Sequence, residues 1–130
     1  LLVPDLDAPP LDLRPGEVQR GVGGAVVGYP GGGPLRGTPA AVRQVLAPVG
    51  RDIYGRAQVT RRLYEIQARI RHGNSGGPFL LASGEVAGVV FASSVLDDDV
   101  GYAIASTDVR PFLQGATDAD IPVSTGPCAT

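Results

Sequence analysis

Residues 61–78 constrain the fold more than any other stretch of the chain. Tyr64, Ile66, Ala68 and Ile70 fall on one face, and Glu65, Gln67 and Arg69 on the other. That is the period of two of a half-buried strand. The strand runs into Arg71-His72-Gly73-Asn74-Ser75-Gly76-Gly77-Pro78. Glycines on both sides of Ser75 let the backbone turn sharply and let another carbonyl approach closely. Pro78 fixes φ as the chain leaves the turn. Phe79-Leu80-Leu81 continue as a strand, Ser83-Gly84 turn, and Glu85 to Phe91 return as the second arm of a hairpin.

The rest of the chain reads as more strands. Val22 to Tyr29 is an apolar, glycine-interrupted strand ending in Tyr29-Pro30-Gly31-Gly32-Gly33-Pro34, and Thr38 to Pro48 alternates as a second strand. Ala57 to Thr60 is ambiguous on its own. Gly101 to Ile104 is the last strand. Ser106-Thr107-Asp108 predict the cap of a short helix through Leu113, stopped by Gly115. Residues 5–16, rich in Pro and Asp, read as a surface linker, and residues 116–130 as a tail. The long helical stripes of a bundle are absent. The 130 residues therefore predict one all-β domain.

Charge and composition narrow the function. A net charge of −2 argues against a nucleic-acid partner. All 11 basic residues are arginine, which together with abundant Ala and Gly fits a GC-rich bacterial source. No phosphate loop is predicted, because no Lys follows the glycine turn. Asp97-Asp98-Asp99 read as a solvated loop, since no further ligands are spaced around them, so no metal or other cofactor is expected. No apolar run is long enough to span a bilayer, so a membrane role would come only through a segment outside this chain. Cys128 is the single cysteine, either a free thiol or one paired outside the chain.

The segment around Ser75 resembles the Gly-(Asp/Asn)-Ser-Gly-Gly-Pro loop of chymotrypsin-fold serine proteases. The resemblance implies Ser75 as nucleophile and the backbone amides of Gly73 and Ser75 as an oxyanion hole. Two other readings stay open. Gly73, Ser75 and Gly77 match the looser elbow of α/β-hydrolases, which needs a following helix and a later histidine. A plain Gly/Ser turn is the other. His72, the only histidine, lies three residues before Ser75 and is badly placed to be its base.

The family order His, Asp, Ser then puts the base and acid on a first barrel upstream of Leu1. Leu1-Leu2-Val3-Pro4 resemble the end of the strand that follows the family's aspartate, which leaves Asp5 and Asp7 as solvated linker residues. Val-Val-Gly-Tyr-Pro-Gly-Gly at 26–32 resembles the turn after the first strand of the second barrel in HtrA-like proteases. The expected fold is the second six-stranded Greek-key barrel of a chymotrypsin-like pair, with a short C-terminal helix. Residues 1–16 would be the end of the first-barrel strand and a linker, 17–115 the barrel, and 116–130 the tail. The apolar face of Val22 to Tyr29 and Tyr64 to Ile70 would need a partner surface. Without the first barrel, open strand edges would make the chain self-associate.

Within the group, the resemblance narrows to the membrane-anchored, periplasmic acid-resistance proteases of mycobacteria and related actinobacteria. It implies an extracytoplasmic location and a disulfide from Cys128 to the missing half. By the same analogy Phe91, Ala92 and Ser93 pair with substrate backbone. Gly101 and Tyr102 lie on the opposite wall of the specificity pocket, Ile70 and Arg71 at its base or rim, and His72 at the lip of the oxyanion hole. The function implied is the serine-bearing half of an endopeptidase acting on protein or peptide. The alternative is a non-catalytic barrel that binds extended peptides or a partner protein.

Overall fold

The computed structural model describes residues 5–52, 55–118, 121, 122, 124, 126 and 127. Leu1 to Pro4 and Cys128 lie outside the described residues. The strands are β1 Gly23–Gly28, β2 Arg36–Leu46, β3 Val49–Arg51, β4 Gln58–Thr60, β5 Leu63–Gln67, β6 Pro78–Leu81, β7 Val86–Ser93 and β8 Val100–Ala105, followed by helix α1, Ser106–Asp118. Six of them close into an antiparallel barrel in the order β1-β2-β5-β8-β7-β6. The expected all-β, six-stranded, chymotrypsin-like barrel with a C-terminal helix is therefore present. β3 and β4 form a separate hairpin. It resolves the ambiguity at residues 57–60 and adds a strand, Val49–Arg51, that the sequence pattern did not predict.

The barrel is filled by the predicted faces. Val26 of β1, Tyr64 and Ile66 of β5, Phe79 of β6, Val90 of β7 and Ala103 of β8 are fully buried. Ala68 and Ile70 continue the β5 alternation into the core after its ladder has ended at Gln67. The apolar face expected to need a partner is covered only in part. Val26, Tyr64, Ile66, Ala68 and Ile70 pack inside the closed barrel, while Val22 and Tyr29 stay on the surface at 38% and 55% exposed.

The leading segment does more than cross the surface. The amide of Arg14 donates to the carbonyl of Val86 at 2.9 Å, and the amide of Val86 to the carbonyl of Asp12 at 2.8 Å. Leu13 thus bridges β7 in parallel. Arg14 also pairs with Glu85 at 3.0 Å. The amide of Val18 donates to the buried Tyr64 hydroxyl at 2.8 Å. Burial pushes the Tyr64 pKa up, and that hydrogen bond partly offsets the rise.

The helix start also differs from the predicted cap. The fully buried Ser106 hydroxyl donates to the carbonyl of Arg14 at 2.8 Å, tying the helix to the leading segment. The Asp108 carboxylate instead accepts the amide of Arg62 at 2.7 Å. The helix passes through Gly115 and ends at Asp118. An exposed helical glycine costs only about 1 kcal/mol relative to alanine, which one more turn can absorb.

Candidate active site

The loop from Arg71 to Pro78 joins β5 to β6 across the end of the barrel, and its shape is set from three sides. The amide of Asn74 donates back to the carbonyl of Arg71 at 3.0 Å, and the amide of Gly77 to the carbonyl of Asn74 at 2.9 Å, so the loop is two tight turns in series. The turn after β1 grips it from one side. The amide of Tyr29 donates to the carbonyl of Gly73 at 3.0 Å, and that of Gly31 to the carbonyl of His72 at 2.7 Å. β7 grips it from the other: Gly76 donates to Val90 at 2.7 Å and Val90 to Gly77 at 2.9 Å. Asn74 is fully buried beneath the loop, where its side-chain oxygen accepts the amide of Arg71 at 3.0 Å. Its Nδ2 has no partner among the described residues.

Gly73 is the residue this packing most requires. Its φ is +95°, and a Cβ there would collide with the carbonyl of Tyr29. Any other residue would be strained and would push the β1 turn away.

Ser75 emerges exposed at the apex of this scaffold. Its hydroxyl lies 3.5 Å from the carbonyl oxygen of Phe91, a long contact that leaves the group uncommitted. Neither the Gly73 amide nor the Ser75 amide donates to an acceptor among the described residues. An uncommitted hydroxyl and two free amides, one on the same residue and one two residues earlier, can serve nucleophilic attack on a carbonyl.

A groove of about 470 Å³ opens beside Ser75, lined by Gly31, Ile70, Arg71, His72, Phe91, Ala92 and Ser93. β7 forms one wall, and it carries a bulge at Phe91. Val90 pairs with Ala103 and Ala92 with Tyr102 of β8, so Phe91 has no opposite number. On its other side β7 pairs with β6 only as far as Val89. The outer edge of Phe91 to Ser93 is thereby left to the groove.

Six of the expected substrate residues, Ile70, Arg71, His72, Phe91, Ala92 and Ser93, line this one space. Gly101 and Tyr102 do not. Ile70 fills the place where a Cβ on Gly101 would stand, so Gly101 acts on the groove only by letting Ile70 pack flush against β8. His72 is exposed. Asp5 and Asp7 are exposed and their carboxylates have no partner among the described residues. Asp97 and Asp98 are solvated, facing Arg43 at 3.6 Å and Arg69 at 3.9 Å. Sequence reasoning missed the buried Asn74 and the β7 bulge. The Gly-Asn-Ser order contained a signal for the first, and nothing local marks the second.

The sequence model of the family described as Trypsin matches residues 4–113. The chain belongs to the trypsin family. It is 40% identical over its whole length to serine protease Rv3671c of Mycobacterium tuberculosis, of which it spans 33%. It is 37% identical over 101 residues to putative protease Do-like 3, mitochondrial, of Arabidopsis thaliana, covering 78% of this chain and 17% of that one. A crystal structure of the Rv3671c protease in its active form superposes with a TM-score of 0.87 at 38% identity, over 98% of this chain and 56% of that one. The chain thus spans about a third of the curated relative that it matches end to end. The trypsin-family match, with strand rather than helix after Pro78, removes the α/β-hydrolase elbow reading.

Proposed function

We propose that this chain is the serine-bearing half of a trypsin-like endopeptidase. In this reading Ser75 attacks the scissile carbonyl, and the amides of Gly73 and Ser75 hold the oxyanion of the tetrahedral intermediate. The extended substrate lies in the groove as an added strand along Phe91, Ala92 and Ser93. A general base and its orienting acid come from a first barrel, because His72 sits in the oxyanion loop itself and Asp5 and Asp7 are solvated. That barrel is the partner of this one. By kinship with the mycobacterial protease, the parent works outside the cytoplasm, anchored through a membrane segment of its own, in acid stress, with Cys128 bridged to the first half.

One observation carries the reading. Ser75 is exposed and uncommitted at the head of a groove whose other wall is an unpaired strand edge. A barrel that only bound peptides would need the groove but not the free hydroxyl and amides. The test is hydrolysis of a peptide ester by the chain alone and together with its first barrel. Loss of the base costs about 10⁴ to 10⁶ in turnover, so the chain alone is expected to be inactive and the pair active. Turnover of about 1 per second or more from the chain alone would overturn the division of labour. A pair with an intact His, Asp and Ser that still does not turn over would favour the binding-barrel reading.

A further inference from the structure

The groove has a sign. Its ionisable lining residues are Arg71 and His72, and no carboxylate lines it. The Arg71 guanidinium has no ion pair or hydrogen bond among the described residues, although its backbone is tied at both ends of the turn. Past Arg71 the groove continues into a smaller recess of about 180 Å³, lined by Arg69, Ile70, Arg71, Ser93, Ser94 and Asp98. The one carboxylate there, Asp98, already faces Arg69 at 3.9 Å. Arg71 is therefore the uncompensated charge.

The neutral groups around it are also suited to an anion. The Ser93 hydroxyl has no partner among the described residues. The Ser94 hydroxyl accepts the amides of Leu96 and Asp97 at 3.1 and 3.2 Å, so its own proton is free to donate outward. Ile70, 8% exposed and packed against Gly101, closes the floor with aliphatic surface. A side chain with two methylenes and a carboxylate would rest its stem on Ile70 and reach a guanidinium and a hydroxyl donor. A lysine or arginine side chain would meet the guanidiniums of Arg69 and Arg71, with one carboxylate in the recess, Asp98, which already faces Arg69.

We infer that this recess is a specificity subsite for an acidic side chain, glutamate before aspartate, and that Arg71 is the residue that reads it. The inference rests on the reading of Ser75 as nucleophile. It assigns a substrate class opposite in charge to the basic residues that the family name would suggest. Charge-assisted hydrogen bonds from arginine to carboxylate are among the stronger polar contacts, but this site is open to solvent, which weakens it.

The test is cleavage by the intact two-barrel protease of peptides that differ only in the residue before the scissile bond. Glutamate is expected to exceed glutamine by about tenfold in kcat/KM, with lysine lowest, and the advantage should shrink as salt is raised. Arg71→Gln should remove the preference for glutamate over glutamine. Arg71→Glu should turn it toward lysine. Arg20→Gln, an exposed arginine in the turn before β1, should leave it unchanged. Equal rates for glutamate and glutamine in the unaltered protease would overturn the inference, as would a preference that survives Arg71→Gln. Fluorophosphonate labelling of the unaltered protease reports the role of Ser75 separately. Should that labelling fail, titration of the 130-residue chain with fluorescent peptides carrying glutamate or glutamine still decides: tighter glutamate binding lost in Arg71→Gln supports the subsite, and equal binding overturns it.

Discussion

The Ser75 loop and the β3–β4 hairpin are both glycine-containing excursions from the barrel, and they are held in opposite ways. The hairpin is held by near neighbours. Arg51 donates to the carbonyl of Gly55 at 3.0 Å, and the amide of Arg56 to the Asp52 carboxylate at 2.8 Å. Its strands are almost wholly exposed, with Val49 at 64%. The Ser75 loop is held by distant ones: Tyr29 and Gly31 in the turn after β1 and Val90 on β7 supply bonds, and Asn74 is buried beneath it. A local turn fixes only its own shape. A loop bonded to the turn after β1 and to β7 together has its apex fixed relative to the groove, which a reacting hydroxyl needs within a fraction of an ångström.

Substitutions can break or sharpen that contrast. The largest effect is expected from Ser75→Ala in the intact protease, where kcat/KM should fall by about 10⁴ to 10⁶ with the thermal midpoint unchanged. Arg51→Ala in the hairpin should leave both within error. Steady-state kinetics beside a melting curve check the pair, and retained ester hydrolysis in Ser75→Ala would break the contrast outright.

Next comes Gly73→Ala against Gly50→Ala. The first combines a φ of +95° with a collision at the Tyr29 carbonyl, while at Gly50 nothing lies within 4 Å of a Cβ. Strain alone predicts about 1–3 kcal/mol lost at Gly73, with Ser75 reactivity lost as well. At Gly50 the change should stay within about 0.5 kcal/mol. Denaturant unfolding of both variants measures the difference.

Asn74→Ala against Asp52→Ala repeats the comparison with side chains. Removing the buried Asn74 oxygen strands the amide of Arg71, for about 1–3 kcal/mol. Removing Asp52 exposes the amide of Arg56 to water and should cost well under about 1 kcal/mol. Equal losses would show that the hairpin is held as firmly as the loop.

The smallest effect is a pH dependence at the foot of the β6–β7 hairpin. Hydrogen bonds from Ser83 and then Arg14 hold the Glu85 pKa below its ordinary value of 4.5. A depressed carboxylate stabilises the fold above its unfolded pKa, and that contribution is lost as pH falls through the folded value. Stability should therefore drop slightly more below about pH 4.5 in the parent chain than in Glu85→Gln. Superimposable pH profiles would remove Glu85 from the account.

Much of this was legible in the sequence, for a physical reason. The Tyr64, Ile66, Ala68, Ile70 alternation and the Gly-Asn-Ser-Gly-Gly-Pro run are local patterns, and local patterns report strand faces and forced turns. The arm Val49–Arg51 was not legible, because an exposed strand of three residues has no apolar period to read. The parallel bridge from Leu13 to Val86 was hidden because it joins residues 73 apart (86 less 13). Gly115 predicts a helix stop yet sits inside the helix, since propensity is a weak prior there. At the site, the motif alone points to Ser75 and Gly73. That Gly101 lies behind Ile70 and not on the groove wall depends on Ile70 filling the space beside it, which only packing reveals.

The most direct measurement is the position of the covalent adduct after the intact protease reacts with a fluorophosphonate. The adduct is expected on Ser75 itself, placed by fragment-ion sequencing of the tryptic peptide that also carries Ser83, Ser93 and Ser94, and it should vanish in Ser75→Ala. An adduct on Ser83, Ser93 or Ser94 instead, or an unlabelled protein that still hydrolyses peptides, would contradict the account.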